Sequence, residues 1–208
     1  MVENLARVTT LDSVRKTTES SGDPRVARTR SAILAALATM EAARTPISVS
    51  ALSRQAGISR SVFYTHFAGV DELALFVLER ALDEIGDADL EARQRREASG
   101  EHTASTSLLR LANHMAEHRS LYVSVFGESV SARAYQAAVE RFATETRIVL
   151  PHVGVMPTGV DVEAVTTFLS AGIMGLFRAW IRNEISMTPN ELVNHIMSFI
   201  PTWMAPRD

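Results

Sequence analysis

His114, Glu117 and His118 have the spacing HxxEH, in which two histidines four residues apart share one helix face and can bind one metal ion beside a glutamate base. That pattern supports a zinc-dependent hydrolase or a metal sensor, with Glu184 or Glu191 as the available third ligand. No second motif supplies that ligand, and His118 followed by Arg119 also suits a solvated helix end. The chain has no cysteine, which removes thiol nucleophiles, zinc ribbons, thiolate-held clusters and disulfide scaffolds together. GxSxG, GxxxxGK and GxGxxG are all absent, so a serine triad, a phosphate-cradling loop and a dinucleotide fold have no support. Catalysis is not expected, and no cofactor is implied.

Contact chemistry is better represented. Residues 58–67 read ISRSVFYTHF, a short segment that mixes one cation, three hydroxyl-bearing side chains, a phenol and an imidazole with inward-facing phenylalanines. On a helix placed in a major groove, Arg60 can bridge guanine acceptors, Ser61 and Thr65 can read several base edges, and Val62 can meet a thymine methyl. Tyr64 and His66 suit phosphate oxygens, and Arg25, Arg28, Ser48 and Arg54 are further candidates for the sugar–phosphate backbone.

Such a probe needs a rigid mount. Asp23 and Pro24 predict a helix start, and Ile33, Leu37 and Met40 recur at helical spacing, giving a first helix to about residue 43. Arg25, Arg28 and Arg30 then oppose the dipole at its front end, a placement that favours an external anion over helix stability. Ser48 caps a short helix over 49–56, Gly57 stops it, and Ser59 caps another over 60–67. Two short capped helices joined by a glycine turn form a helix-turn-helix. A long helix follows from about residue 70 and is expected to fray into a polar connection over 86–104. Further helices are expected over 105–117, 121–126, 131–150 and 161–183, with a last one beginning at Thr188 and Pro189.

The fold class is therefore all-α. The expected organisation is a tail over 1–22, a three-helix DNA-binding domain over 23–69 and a helical domain over 70–208. Residues 1–67 carry nine basic side chains against five acidic ones, and the remainder twelve against nineteen, so a polyanion partner is implied for the front alone. The uncharged run 164–177 falls short of the roughly 20 residues of a membrane span, and no signal peptide is read at the N-terminus, so a cytoplasmic chain without a membrane partner is expected. That run is apolar or small on nearly every face and must be covered on two sides. Ala171, Gly172 and Gly175 allow close helix approach there. With Trp180, and with Ile196, Phe199, Ile200 and Trp203 of the last helix, they predict a surface that pairs with a second copy.

Residues 28–73 resemble the TetR family of bacterial transcriptional regulators. Ile33-Leu34-Ala35-Ala36 is similar to the family's first helix, SVSALSRQAG over 48–57 to its positioning helix, and ISRSVFYTHF to its recognition helix with the Tyr-x-His-Phe ending; Leu73 matches an anchor of the fourth helix. The family usually has a lysine at the start of that helix, where this chain has Val70. The resemblance implies a homodimer on double-stranded DNA with a near-palindromic operator, and repression relieved by a small-molecule effector of unknown identity. It assigns Tyr64 and His66 to phosphates. It also implies an effector pocket in the rear helices, for which Phe76, Met115, Tyr122, Phe126, Tyr135, Phe142, Phe168 and Phe177 are candidate walls and Asn113, His114 and Arg178 candidate polar anchors.

Overall fold

The computed structural model describes residues 24–95, 99–126, 132–153 and 155–204. The expected tail and the cap at Asp23 lie outside the described residues. All regular structure among them is helical: nine α-helices and one short 3-10 turn, Leu150–His152. The chain divides into two compact units, 1–68 and 69–208.

The first unit holds α1 (Pro24–Ala42), α2 (Val49–Gln55) and α3 (Arg60–Tyr64). Ile33, Ala36, Leu37 and Met40, at three- and four-residue spacing, form the buried stripe of α1, and α1 packs on α2. Leu52, Phe63 and Phe67 complete this small core. Arg44 takes a left-handed conformation at the end of α1 (φ 52°), which lets Thr45 N–H reach back to Met40 O at 2.8 Å. Gly57, at φ 67°, makes the corresponding reversal between α2 and α3 without steric penalty.

The second unit begins with α4 (Val70–Arg95), which packs against α5 (Gly100–Glu117), α6 (Arg119–Phe126) and α7 (Ala132–Val149). The fraying expected from residue 86 does not occur. Asp89 and Arg93 pair along α4 while Ser107 of α5 donates to Asp89 Oδ2 at 2.7 Å, so this stretch is held inward instead of being solvated. α5 also starts earlier than expected, because Ser99 accepts the His102 amide as an N-cap.

α8 (Val162–Ile181) packs on α7, and α9 (Pro189–Phe199) packs on α5. Asp161 caps α8, and a reciprocal Thr188–Glu191 capping box starts α9. α8 is longer than its uncharged run suggested and by length and composition could cross a membrane, yet Leu169, Ile173, Met174 and Phe177 are packed inside the protein. Its C-terminal end is held by Arg119, which donates to Trp180 O, Ile181 O and Asn183 Oδ1.

Candidate functional site

Local capping fixes the helix-turn-helix. Ser48 Oγ accepts the Ala51 amide at 3.2 Å, and Ser59 Oγ accepts the Val62 amide at 3.1 Å. α3 is shorter than the sequence predicts, ending at Tyr64 in place of Phe67; Thr65, His66 and Phe67 continue as hydrogen-bonded turns onto Ser61 and Phe63 carbonyls. Its regular part therefore spans about 7.5 Å, still within the roughly 12 Å width of a major groove.

Phe63 is fully buried with its ring 5.8 Å from that of Phe67, and this anchor directs the remaining side chains outward. Arg60, Ser61, Val62, Tyr64 and Thr65 are all exposed, Tyr64 by 56%. Thr65 donates its hydroxyl to Val62 O at 2.7 Å, so toward a ligand it offers lone pairs and a methyl group. His66 is half-buried; burial and then the Arg30 charge hold its pKa below the usual histidine value. At neutral pH it is therefore mainly uncharged and can act as a neutral donor. Arg30 lies over the Phe67 ring at 5.9 Å, a contact the sequence did not reveal.

Arg25, Arg28, Ser48, Arg54 and Ser59 are also exposed. Arg28 donates from Nε to Pro24 O at 3.1 Å, leaving its terminal nitrogens for other acceptors. The first turn of α4 offers no cation: half-buried Val70 is followed by exposed Asp71 and Glu72.

The second unit contains an apolar cavity of ≈ 130 Å³ between α4, α5, α7 and α8, with Leu82, Leu108, Phe142 and Val149 among its walls. Of the residues expected to bind an effector, Phe142 alone lines it. Met115, Tyr122, Phe126 and Phe177 are fully buried core residues. They fill space between helices, with Tyr122 and Phe126 rings 6.1 Å apart and Phe126 the same distance from Tyr135. Arg178 stacks over Tyr135 at 4.9 Å, Phe76 is half-buried outside the cavity, Asn113 is exposed, and Phe168 is 71% exposed.

The polar part of the cavity lay in the stretch read as solvated. Asp89, Arg93 and Ser107 meet at its wall, and the Asp89 and Arg93 side chains are only 7% and 6% exposed. Glu145, also at the wall, accepts from Arg141 Nη1 at 2.7 Å, and Arg141 in turn reaches Asp83 on α4. Gly86 lies directly against Glu145 Oε2, where a β-carbon would collide. The i, i+4 pair Asp89 and Arg93 was the available sequence signal, but surface pairs have the same spacing.

The structure does not bring the proposed metal ligands together. His114 Nε2 is hydrogen-bonded to Tyr122 Oη at 2.7 Å, and burial followed by the neighbouring His118 lowers the His114 pKa to about 4. Glu117 is exposed, Glu184 pairs with Arg182, and Glu191 belongs to the α9 capping box. Among the described residues, no three His, Asp or Glu side chains converge on a point that could hold a metal ion.

The expected self-pairing residues divide into two groups. Trp180 is buried and donates from Nε1 to Met187 O at 2.7 Å, Ile196 is 1% exposed, and Ile200 lines the cavity. These serve their own chain. Gly175 lies against Tyr135, and Trp203 is half-buried. Ala171, Gly172 and Phe199 do face outward, together with Phe168, which the sequence had suggested for the pocket.

Residues 102–202 match the TetR-type family model for a transcriptional regulator C-terminal region. No curated protein matches the chain by sequence. Among solved structures, the TetR family repressor FadR of Thermus thermophilus, in complex with lauroyl-CoA, is similar with a TM-score of 0.67 at 15% identity, over 86% of this chain and 96% of that one. AlkX of Dietzia sp., a TetR family repressor implicated in biodegradation of n-alkanes, is similar with a TM-score of 0.57 at 15% identity, over 85% of this chain and 92% of that one. At these identities the two structures establish the fold. A front unit built as a capped helix-turn-helix and a rear region that matches a regulator C-terminal model lead to one assignment: the chain has the TetR fold, and its residues 102–202 are a TetR-type transcriptional regulator C-terminal region.

Proposed function

We propose that the chain represses transcription as a homodimer on a near-palindromic operator, and that a small molecule held in the rear cavity releases it. The observation that carries the DNA reading is the division of α3: Phe63 and Phe67 are locked inside while Arg60, Ser61, Val62, Tyr64 and Thr65 stand outside. In this reading Arg60, Ser61, Val62 and Thr65 meet base edges, while Tyr64, His66, Arg25, Arg28, Ser48, Arg54 and Ser59 meet the sugar–phosphate backbone. One such helix covers only a few base pairs, so two copies in successive major grooves supply the specificity.

The outward apolar side chains Phe168, Ala171 and Phe199, with Gly172 open between them, support pairing between copies. The cavity beside α4, the helix that continues the chain from the recognition segment, supports effector control. The acyl chain of the lauroyl-CoA bound by FadR is apolar, as are most walls of this cavity.

Selection of bound fragments from the host genome, read at two salt concentrations, tests this function. The expected result is a near-palindromic consensus whose half-sites lie about one helical turn apart, with affinity falling steeply as salt rises. Recovery of no fragment at low ionic strength, from protein that sediments as a single copy, overturns it.

A further inference from the structure

The effector reading leaves open what the cavity recognises, and the polar atoms of its wall restrict the chemistry. Arg93 uses Nε and Nη2 on Asp89, the latter at 3.4 Å, while Ser107 occupies Asp89 Oδ2. The carboxylate is therefore already supplied with donors. Among the described residues, none takes the Nη1 protons of Arg93, although this side chain is more than nine-tenths buried and lines the cavity. A guanidinium carries five N–H donors and no acceptor, so the cavity wall offers a donor that no described protein acceptor takes.

The same pair sets a charge limit. Asp89 cancels the Arg93 charge, and the other wall carboxylate, Glu145, is matched by Arg141. Among the described residues, Arg93 of the wall and Arg141 behind it each have a carboxylate partner, so no surplus cation faces the cavity to compensate a bound anion, and both wall carboxylates have a guanidinium beside them. A free carboxylate or ammonium would be desolvated without a counter-charge, a penalty that apolar contact does not recover. The space is also limited: at ≈ 130 Å³ it is similar to cavities that admit a single aromatic ring.

We propose that, given the effector reading above, the cavity binds a small uncharged molecule, apolar except for one carbonyl-type oxygen that accepts from Arg93 Nη1. The apolar body rests on Leu82, Leu108, Phe142 and Val149, and the oxygen completes the donor set that Asp89 and Ser107 leave unfinished.

Calorimetric titration of the full chain with four probes of one size tests the site: acetophenone, ethylbenzene, benzoate and benzylamine. Acetophenone is expected to bind at least about tenfold more tightly than ethylbenzene, since a hydrogen bond to a charged donor distinguishes them. Benzoate and benzylamine are expected to bind more weakly than either neutral probe. In the double variant Asp89→Leu with Arg93→Met, the preference for acetophenone disappears while ethylbenzene still binds. Ala104→Leu, which narrows the cavity and spares the ion pair, weakens both neutral probes alike, so the proposal does not depend on the double variant folding. Equal binding of acetophenone and ethylbenzene by the unaltered chain, tightest binding of benzoate or benzylamine, or no binding of any probe overturns the proposal. Release of the selected DNA fragments is measured separately: binding of acetophenone without release keeps the site and removes the effector role, whereas fragment binding by a chain that binds none of the four probes removes the site alone.

Discussion

The two units use arginine in opposite ways. In the front unit no carboxylate stands four residues from Arg28, Arg54 or Arg60, and all three side chains are exposed. In the rear unit Arg80, Arg93, Arg95 and Arg141 each pair with an acidic residue four positions along the same helix. These three front arginines thus present positive charge outward, whereas these four rear arginines are matched by carboxylates of their own helices. For these seven arginines, the presence or absence of a carboxylate four positions away separates the two groups.

Breaking a buried rear pair gives the largest expected effect. Arg93→Met alone leaves Asp89 charged and buried with Ser107 as its remaining donor, and should destabilise the protein by about 3–5 kcal/mol in urea unfolding. The double variant with Asp89→Leu should recover most of that loss, because both buried charges are gone. A recovery of less than half would mean that the pair is more than a neutralised couple.

On the front unit, Arg60→Ala should leave stability within about 0.5 kcal/mol and relax base preference at its contacted pair by about 1–3 kcal/mol. Tyr64→Phe should weaken all sequences similarly. Binding-site selection with both variants sharpens the contrast: equal shifts in sequence preference would show that the exposed face does not separate reading from positioning.

Protonation offers a milder probe of the rear. His114 is held neutral with a pKa of about 4, against 6.5 for the ordinary side chain. Between these values the unfolded chain binds a proton that the folded chain does not, so stability falls as pH drops through that window. Allowing for partial solvent access, the loss should be about 1–2 kcal/mol. His114→Gln should flatten this pH dependence in thermal melts; an unchanged slope would assign it to other groups. The smallest effect belongs to the exposed Arg80–Glu84 pair, where Arg80→Ala should cost no more than about 0.5 kcal/mol by urea unfolding.

The same contrast explains what could be read from the sequence. Ser48, Gly57 and Ser59 act within three or four residues of themselves, so the helix-turn-helix was legible in full apart from the early end of α3. The cavity was not legible, because Asp89 and Arg93 become a buried wall only when Ser107 arrives from α5. Aromatic content misled for a related reason: Tyr122, Phe126 and Phe177 satisfy a packed core and a ligand pocket equally well on paper, and neighbouring helices decide between them. Trp180 and Ile196 were likewise indistinguishable from interface residues until their own chain covered them.

The hydrogen-only position at residue 86 turns a routine stabilising substitution into a structural lever. Alanine there would gain about 1 kcal/mol of helix propensity on α4, yet its methyl group would evict the Glu145 carboxylate from its berth. The flexible Glu145 side chain would have to swing aside, weakening its pairing with Arg141, which would keep Asp83 on α4. Helix α4 thus forgoes intrinsic rigidity at one point so that two helices can share a single guanidinium.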